Sequence, residues 1–136
     1  MNPKLKMLDL FSGIGGFSLA AHWTGAIETV AFCEIDKYAT RVLNKNFPEI
    51  PVNPDIKELK NSGQYKTVDI VCGGFPCQPY SIAGNRRGTN DNRDLWPEMF
   101  RIIQEFKPAW IFGVNVATFV NMVLERTCID LENEGY

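Results

Sequence analysis

Residues 6–16 read KMLDLFSGIGG, an apolar run that passes directly into a loop with three glycines. Residues 17–25, FSLAAHWTG, then show the apolar spacing of a helix and stop at a glycine. The stretch therefore predicts a buried strand, a tight loop and a helix in immediate succession. Because a strand followed by a helix begins a βαβ unit, the stretch points to a parallel sheet.

The alternation of strands and helices continues along the chain. Buried strands are predicted at residues 28–35, 67–74 and 108–116, with at most a short strand in the proline-broken segment 49–59. Helices are predicted at 36–47, with Asp36 as N-cap, and at 93–106, with Pro97 in the first turn. The segment 119–136 is predicted to be helical to near its end. The 136 residues predict an α/β fold with a doubly wound, mostly parallel sheet, in a single domain spanning residues 1–136.

The unusual residues all follow predicted strands. The glycine loop comes after the first strand, Glu34 ends the second, Cys77 follows the fourth, and Val114 and Asn115 end the fifth. Parallel sheets of this kind bind ligands at the carboxyl ends of their strands. We therefore expect these residues to share one edge of the sheet, named here the ligand rim.

The glycine loop and Glu34 together predict a nucleoside-bearing cofactor. Glycines let the chain turn tightly and let a ligand approach the backbone. The loop departs from the dinucleotide fingerprint GxGxxG, because Ser18 occupies its last position. Glu34 lies about 20 residues beyond Gly13, where an acid can accept hydrogen bonds from ribose hydroxyls. These features alone do not separate NAD from S-adenosylmethionine.

Residues 73–81, GGFPCQPYS, hold Cys77 between Pro76 and Pro79. Prolines make the loop costly to rearrange, which suits a side chain that must keep one geometry. A thiolate is a strong nucleophile, but the one imidazole, His22, is predicted within a helix away from the rim. The pattern disfavours a Cys and His catalytic pair and leaves two interpretations, an exposed nucleophile or a buried structural cysteine.

The composition mainly argues against particular sites and locations. The net charge of −2 gives no electrostatic case for nucleic acid, and the arginines at 86, 87 and 93 fit a solvated loop on charge alone. The four cysteines form no CxxC pair, so no metal site is predicted. No apolar run is long enough to cross a membrane and no signal peptide is visible, which predicts a cytoplasmic protein with reduced thiols.

Three motifs in order, DLFSGIGGF, CEID and GGFPCQPYS, resemble the DNA (cytosine-5)-methyltransferases along essentially the whole chain. The resemblance implies the Rossmann-like fold of S-adenosylmethionine-dependent methyltransferases and a role in DNA methylation, as in restriction-modification. The implied cofactor is S-adenosyl-L-methionine, with S-adenosyl-L-homocysteine as product and no metal. The implied partner is DNA with a flipped cytosine.

The resemblance also assigns roles to residues. Phe11 would stack on the adenine and Ile35 would pack on it, Glu34 would hold the ribose hydroxyls and Asp55 would take the adenine amino group. The full implied cofactor set is Phe11, Ser12, Gly13, Ile14, Gly15, Gly16, Glu34, Ile35, Asp55, Ile56, Pro76 and Leu95. Cys77 would attack C6 of the cytosine, and a loop with Tyr80, Ser81, Arg86 and Arg87 would close over DNA, which favours phosphate contact for the two arginines.

The chain departs from the family pattern at the end of the fifth strand. The family has Glu-Asn-Val there, whereas this chain has Val114, Asn115 and Val116. The family glutamate hydrogen-bonds N3 of the target cytosine, and losing a positioned acid costs roughly 10²–10⁴ in rate. We therefore expect this chain alone to be inactive in methyl transfer.

The second departure is that the chain stops where the family continues. The sequence predicts a truncated form, with a sheet that ends after about the fifth strand and without the target-recognition domain. Strand residues 110–114 would then lie at an open edge and cause self-association. Two alternatives stay open: a subunit of a split methyltransferase completed by a partner chain, or a nucleotide-binding module, such as a regulatory NAD binder, without methyl transfer.

Overall fold

A computed structural model describes residues 2–75, 95–117 and 124–136 of the chain. The elements run β1 (Leu5–Leu10), α1 (Gly16–Thr24), β2 (Ile27–Cys33), α2 (Lys37–Asn46), β3 (Val52–Asn53), β4 (Ile70–Gly73), α3 (Trp96–Phe106), β5 (Trp110–Gly113) and α4 (Leu124–Asn133).

The strands of the described residues form one sheet in the order β3-β2-β1-β4-β5, and every pairing is parallel. β1 lies at the centre, with Asp9 opposite Cys72 on β4 and opposite Phe32 on β2. The chain turns back at β1, so the carboxyl ends of β1 and β4 form the switch point at which such sheets bind ligands. The predicted α/β fold with a parallel sheet is confirmed.

The two faces of the sheet carry different cores. Leu8, Leu10 and Val71 point towards α3, whose buried residues are Trp96, Met99, Ile102, Ile103 and Phe106. Met7, Ile70 and Cys72 point the other way, towards Ala21 of α1. Because alternate residues of a strand face opposite sides, a short apolar run such as MLDL can serve both cores at once.

The predicted helix ends are present in the structure. Asp36 is the N-cap of α2, and its side chain accepts a hydrogen bond from the Ala39 N–H at 2.7 Å. Gly25 ends α1 in the left-handed conformation, with φ of 69°. Pro97 lies in the first turn of α3, where its missing N–H costs no helical hydrogen bond.

Several elements are shorter than predicted. β2 ends at Cys33, and β4 and β5 cover Ile70–Gly73 and Trp110–Gly113 only. The cause lies in β1, which ends at Leu10 because Phe11 adopts a left-handed φ of 51° and turns the chain away, so the neighbouring ladders stop. α4 ends at Asn133, near the chain end as predicted, and residues 119–123 of the predicted helix lie outside the described residues.

Candidate functional site at the ligand rim

Residues from every strand meet at the carboxyl end of the sheet. The glycine loop follows β1, Glu34 follows β2, Asp55 follows β3, Gly74 follows β4 and Val114 follows β5. The predicted gathering of these positions at one rim follows directly from the parallel pairing. Pro76, Cys77, Tyr80, Ser81, Arg86 and Arg87 lie outside the described residues.

Glu34 ties the glycine loop to the second helix. Its Oε2 accepts a hydrogen bond from the Gly13 N–H at 2.7 Å, and its Oε1 accepts one from the Asp36 N–H at 2.8 Å. Each carboxylate oxygen keeps a second lone-pair site, so the group can still accept hydroxyl protons. A carboxylate fixed in this way fits the vicinal hydroxyls of a ribose.

Ser12 is hydrogen-bonded within the loop and to the end of β2. Its hydroxyl donates to the Asp9 carbonyl at 2.6 Å, and its N–H donates to the Cys33 carbonyl at 3.2 Å. Its own carbonyl accepts from the Gly15 N–H at 3.0 Å. These hydrogen bonds set the course of the chain from β1 into the loop.

Gly15 is required by both conformation and space. Its φ is 94°, and a Cβ placed there would lie 2.8 Å from Phe47 Cε2 and 3.0 Å from Leu43 Cδ2. Gly16 follows as the first residue of α1. Ile14 is exposed and lies at a cavity of about 420 Å³ between α1 and α2.

Phe11 lies against the end of β4, where Gly73 leaves it room. A Cβ at Gly73 would lie 2.8 Å from the Leu10 carbonyl oxygen and 3.3 Å from Phe11 Cδ2. The aromatic ring is half-buried against the core. Ile35 on the neighbouring strand end is 75% exposed. The two apolar side chains therefore offer surface at the rim.

Asp55 and Ile56 belong to one short turn, residues 55–59. Asp55 Oδ1 accepts from the Lys57 N–H at 2.9 Å, which fixes the carboxylate at the start of the turn. Ile56 is buried in the core next to α3, so its side chain supports the turn and does not line the rim. Leu95, directly before α3, is half-buried, and its carbonyl accepts from the Met99 N–H at 3.1 Å.

Val114 lies beside the segment that leads to Cys77. Its N–H donates to the Gly73 carbonyl at 3.1 Å, and its Cβ would lie 3.8 Å from a Cβ at Gly74. The valine is 54% exposed. Asn115 Oδ1 accepts from the Val116 N–H at 2.8 Å, whereas its buried Nδ2 finds no acceptor within the described part of the chain.

Two cysteines near the rim are chemically inert. Burial raises the pKa of the Cys33 thiol to about 12, and the Asp55 and Glu34 carboxylates add to that rise. Burial, together with Asp9, raises the pKa of the Cys72 thiol far above its usual range. Both cysteines lie in apolar runs of the sequence, and both are buried. Neither can supply a thiolate near neutral pH.

Sequence reasoning missed a buried acid in β1. Asp9 is fully buried and lies at the contact between β1 and α1, where Oδ2 accepts from the Ser18 hydroxyl at 2.8 Å. Thr29 in turn donates to Ser18 at 2.7 Å. Desolvation raises the pKa of Asp9 to about 6. The available signal was a single charged residue between Leu8 and Leu10 in an apolar run.

Sequence reasoning also missed Arg101 on α3. The guanidinium donates to the carbonyls of Ile56 at 2.7 Å and Leu59 at 3.0 Å. It also pairs with Glu98 and Glu105 on its own helix. The three charged residues were visible at helical spacing, but that spacing looks the same on any solvated helix face.

Among the described residues, no group of His, Cys, Asp or Glu could hold a metal ion, and no helix has the length and apolar character needed to cross a membrane. The glycine loop follows β1, the acid follows β2, and the switch point lies on the other side of β1, between β1 and β4. Parallel α/β sheets bind ligands at such a place.

The comparisons identify the family. A family profile described as C-5 cytosine-specific DNA methylase matches residues 5–136, and the chain belongs to this family. It is 43% identical over 118 residues to the type II methyltransferase M.HhaI of Haemophilus parahaemolyticus, covering 86% of this chain and 35% of that protein. It is 39% identical over 117 residues to the type II methyltransferase M2.BsuMI of Bacillus subtilis (strain 168), covering 82% of this chain and 29% of that protein.

The fold matches solved structures as well. A mutant of DNMT2 from Spodoptera frugiperda superposes with a TM-score of 0.74 and 31% identity, over 96% of this chain and 41% of that chain. The sheet is therefore of the type found in S-adenosylmethionine-dependent methyltransferases. The chain spans about a third of the length of the curated relatives described here.

Proposed function

We propose that the chain carries the S-adenosylmethionine site and the nucleophile of a DNA (cytosine-5)-methyltransferase. The observation that supports this most is the hydrogen bond from the Gly13 N–H to Glu34 Oε2, 2.7 Å long, at the carboxyl ends of β1 and β2. It holds a glycine loop and a ribose-binding acid in the relation that a nucleoside needs. The family membership gives the nucleoside its chemical class.

The cofactor would be held by groups from three strand ends. Glu34 would accept the ribose hydroxyls, Phe11 and Ile35 would flank the adenine, and Asp55 would accept from the adenine amino group. The backbone from Gly13 to Gly16, in the same loop as Ser12 and Ile14, would lie along the methionine end of the cofactor. Ile56 would support the Asp55 turn from below. Pro76 and Leu95 would line the opposite side of the cofactor pocket. When bound, S-adenosylmethionine would supply an electrophilic methyl group.

Cys77 would act on the cytosine. Its thiolate would form a bond to C6, which pushes the electron pair of the C5–C6 double bond to C5. C5 could then accept the methyl group, and loss of the C5 proton with the electron pair of the C6–S bond leaving on sulfur would release the enzyme. The base must leave the duplex first, because C6 is inaccessible within the stack. Tyr80, Ser81, Arg86 and Arg87 would form the loop that closes over the DNA.

Val114 would leave this reaction without a positioned acid. A carboxylic acid at that position would share a proton with N3 of the cytosine as Cys77 attacks, and valine has no proton to share. We propose that this chain alone transfers methyl groups slowly or not at all. Asn115 would keep its place in the strand end without replacing the acid.

The test is a calorimetric titration with S-adenosylmethionine, with NAD as the competitor. We expect selective binding of S-adenosylmethionine, because the broken GxGxxG pattern does not favour a pyrophosphate. A preference for NAD would contradict the proposal and would favour a nucleotide-binding module. A partner chain that co-purifies and carries a target-recognition domain would assign the protein to the split type of methyltransferase.

We also propose self-association through β5. The strand is the last in the sheet order of the described residues, and Trp110 and Phe112 expose more than half of their surface. Exposed apolar edge strands pair with one another. Sedimentation at micromolar concentration should show dimers or larger species that Phe112→Lys reduces, whereas Trp23→Lys on α1 should not. A clean wild-type monomer would contradict this proposal.

A further inference from the structure

Arg101 on α3 holds the turn that contains Asp55. Nη2 donates to the Ile56 carbonyl at 2.7 Å, and Nη1 donates to the Leu59 carbonyl at 3.0 Å. These two residues are more than 40 positions away in the sequence. One side chain therefore joins α3 to the loop that follows β3.

The turn needs such a donor. Residues 55–59 form a single helical turn, in which the Glu58 N–H donates to the Asp55 carbonyl at 3.1 Å and the Leu59 N–H donates to the Ile56 carbonyl at 3.2 Å. Carbonyls at the end of a helical turn lack helical partners, and basic side chains are well suited to supply them. Arg101 reaches the Leu59 carbonyl at the end of the turn and adds a second hydrogen bond at the Ile56 carbonyl, through two different nitrogens. The two contacts fix the orientation of the turn as well as its position.

Arg101 is itself held in place. Its Nε donates to Glu98 at 3.0 Å, and Nη1 donates to Glu105 at 2.7 Å, one turn away on either side. Glu105 also accepts from the Asn61 N–H at 3.1 Å, just beyond the turn. Burial acts to lower the pKa of the guanidinium, but the hydrogen bonds and charges of Glu98 and Glu105 together outweigh it and raise that pKa, so the group stays charged. The arrangement is a clamp that grips residues 55–61 from α3.

Asp55 is the first residue of the turn that Arg101 holds, and it lies at the ligand rim. Its Oδ1 accepts from Lys57 within the same turn, and its charge acts on Cys33 together with that of Glu34. Ile56, the next residue, is buried below and bonded to Arg101. A shift of the turn therefore moves the Asp55 carboxylate relative to Glu34.

We propose that Arg101 is a positioning residue that sets the preference of the site for adenine by fixing the Asp55 turn. This rests on the proposed function, in which Asp55 accepts from the adenine amino group. A carboxylate accepts from an amino group at the six position of the base but is repelled by an oxo group there. The discrimination depends on the place of the carboxylate, and hence on the clamp.

The test compares two probes, S-adenosyl-L-homocysteine and its deaminated form, S-inosyl-L-homocysteine, by calorimetry. We expect the wild-type chain to prefer the adenosine form by about 10- to 100-fold, the range of one charge-assisted hydrogen bond. Arg101→Met should lower that preference at least about 5-fold and leave the affinity for the inosine form within about 2-fold. Asp55→Asn should abolish the preference, and adding Arg101→Met to it should change nothing further.

Controls separate positioning from stability. Arg126→Met removes the guanidinium of a residue that pairs with Asp130 on α4, so the preference should stay as in the wild type. Arg101→Lys keeps the charge but cannot donate through two nitrogens of a fork, and it should lower the preference about 2- to 3-fold. It also serves if Arg101→Met fails to fold.

The outcomes are distinct. An Arg101 variant that keeps the full preference, or weakens both probes equally, makes Arg101 a purely structural residue and overturns the proposal. A wild-type chain that binds neither probe contradicts the proposed function itself. A wild-type chain that binds both probes equally removes the role of Asp55, on which the proposal depends.

Discussion

The two sides of the ligand rim are built differently. On the β1 and β2 side, the polar groups are closely bonded, from Gly13 to Glu34 and from Glu34 to Asp36, at 2.7–2.8 Å. On the β4 and β5 side, the rim ends in the exposed Val114 and in Asn115, whose Nδ2 finds no partner among the described residues. The β1 and β2 side is therefore fixed by its own hydrogen bonds, whereas the β4 and β5 side carries a buried polar atom without a partner among the described residues.

The contrast separates two requirements of the proposed site, nucleoside binding and proton transfer, by how far each depends on the fold. Binding a nucleoside needs backbone N–H groups and one acid, and these are fixed as soon as β1 and β2 pair. Proton transfer to a base needs a titratable side chain at one further position. A single residue at the end of β5 can remove the second ability without affecting the first.

The largest effect is expected from restoring the acid with Val114→Glu. If Cys77 attacks C6 of cytosine, a positioned acid should raise the rate by roughly 10²–10⁴, or about 3–5 kcal/mol of barrier. The measurement is release of tritium from C5 of cytosine in a single-stranded oligonucleotide. Val116→Glu, two residues further on, is the matched control and should give no gain. Equal rates for both variants would contradict the special role of position 114 on the β4 and β5 side.

The next effect concerns Glu34. Glu34→Ala removes the bond to the Gly13 N–H and the expected ribose contacts, and we expect the affinity for S-adenosylmethionine to fall about 30- to 300-fold. Glu28→Ala changes an exposed glutamate within β2, the strand that Glu34 follows, and should leave the affinity unchanged. Calorimetry measures both. Similar affinities for the two variants would remove Glu34 from the site.

Asp9 gives a pH-dependent effect on stability. Its pKa rises from 3.8 to about 6 on folding because of burial, so the folded state binds the proton more tightly than the unfolded state. The free energy of unfolding should therefore fall as the pH rises from about 4 to about 6, by about 2–3 kcal/mol from this residue. Asp9→Asn should remove that part of the slope in urea unfolding followed across this range. Parallel curves for variant and wild type would contradict the assignment.

A smaller effect on stability is expected at the carboxyl ends of β4 and β5. Gly73→Ala would bring a Cβ within 2.8 Å of the Leu10 carbonyl oxygen and should cost about 1–3 kcal/mol of stability. Gly113 is its register partner on β5, and a Cβ there meets nothing within 4 Å. Gly113→Ala is therefore the matched control, and thermal unfolding should separate the two variants. If both unfold alike, Gly73 is not packed as described.

The sequence was sufficient to predict the order of strands and helices and the strand ends that meet at the ligand rim. The alternation of apolar runs with helical spacing, and the caps at Asp36 and Gly25, are local signals, and the structure contains both caps. Strand ends were less predictable, because β2 and β4 stop where their partner β1 turns away at Phe11. That is a property of the pairing and leaves no mark in the runs themselves.

Contacts between distant segments could not be predicted. The clamp of Arg101 on Ile56 joins α3 to a turn more than 40 residues earlier, and nothing in either segment marks the other as its partner. Asp9 was treated as part of a strand because periodicity reports which face a residue takes, and it does not report how the charge of that residue is compensated. The assignments of Cys77 and of the DNA loop stay predictions.

The switch point between β1 and β4 also bears on how such a sequence can change over generations. The bonds among Gly13, Glu34 and Asp36 lie within the β1 and β2 side, whereas position 114 meets β4 through Gly73 and Gly74. Selection can therefore act on the two sides separately. If the two sides have the proposed roles, one substitution at position 114 removes the proton donor and leaves the nucleoside site intact, and a second substitution could restore the donor.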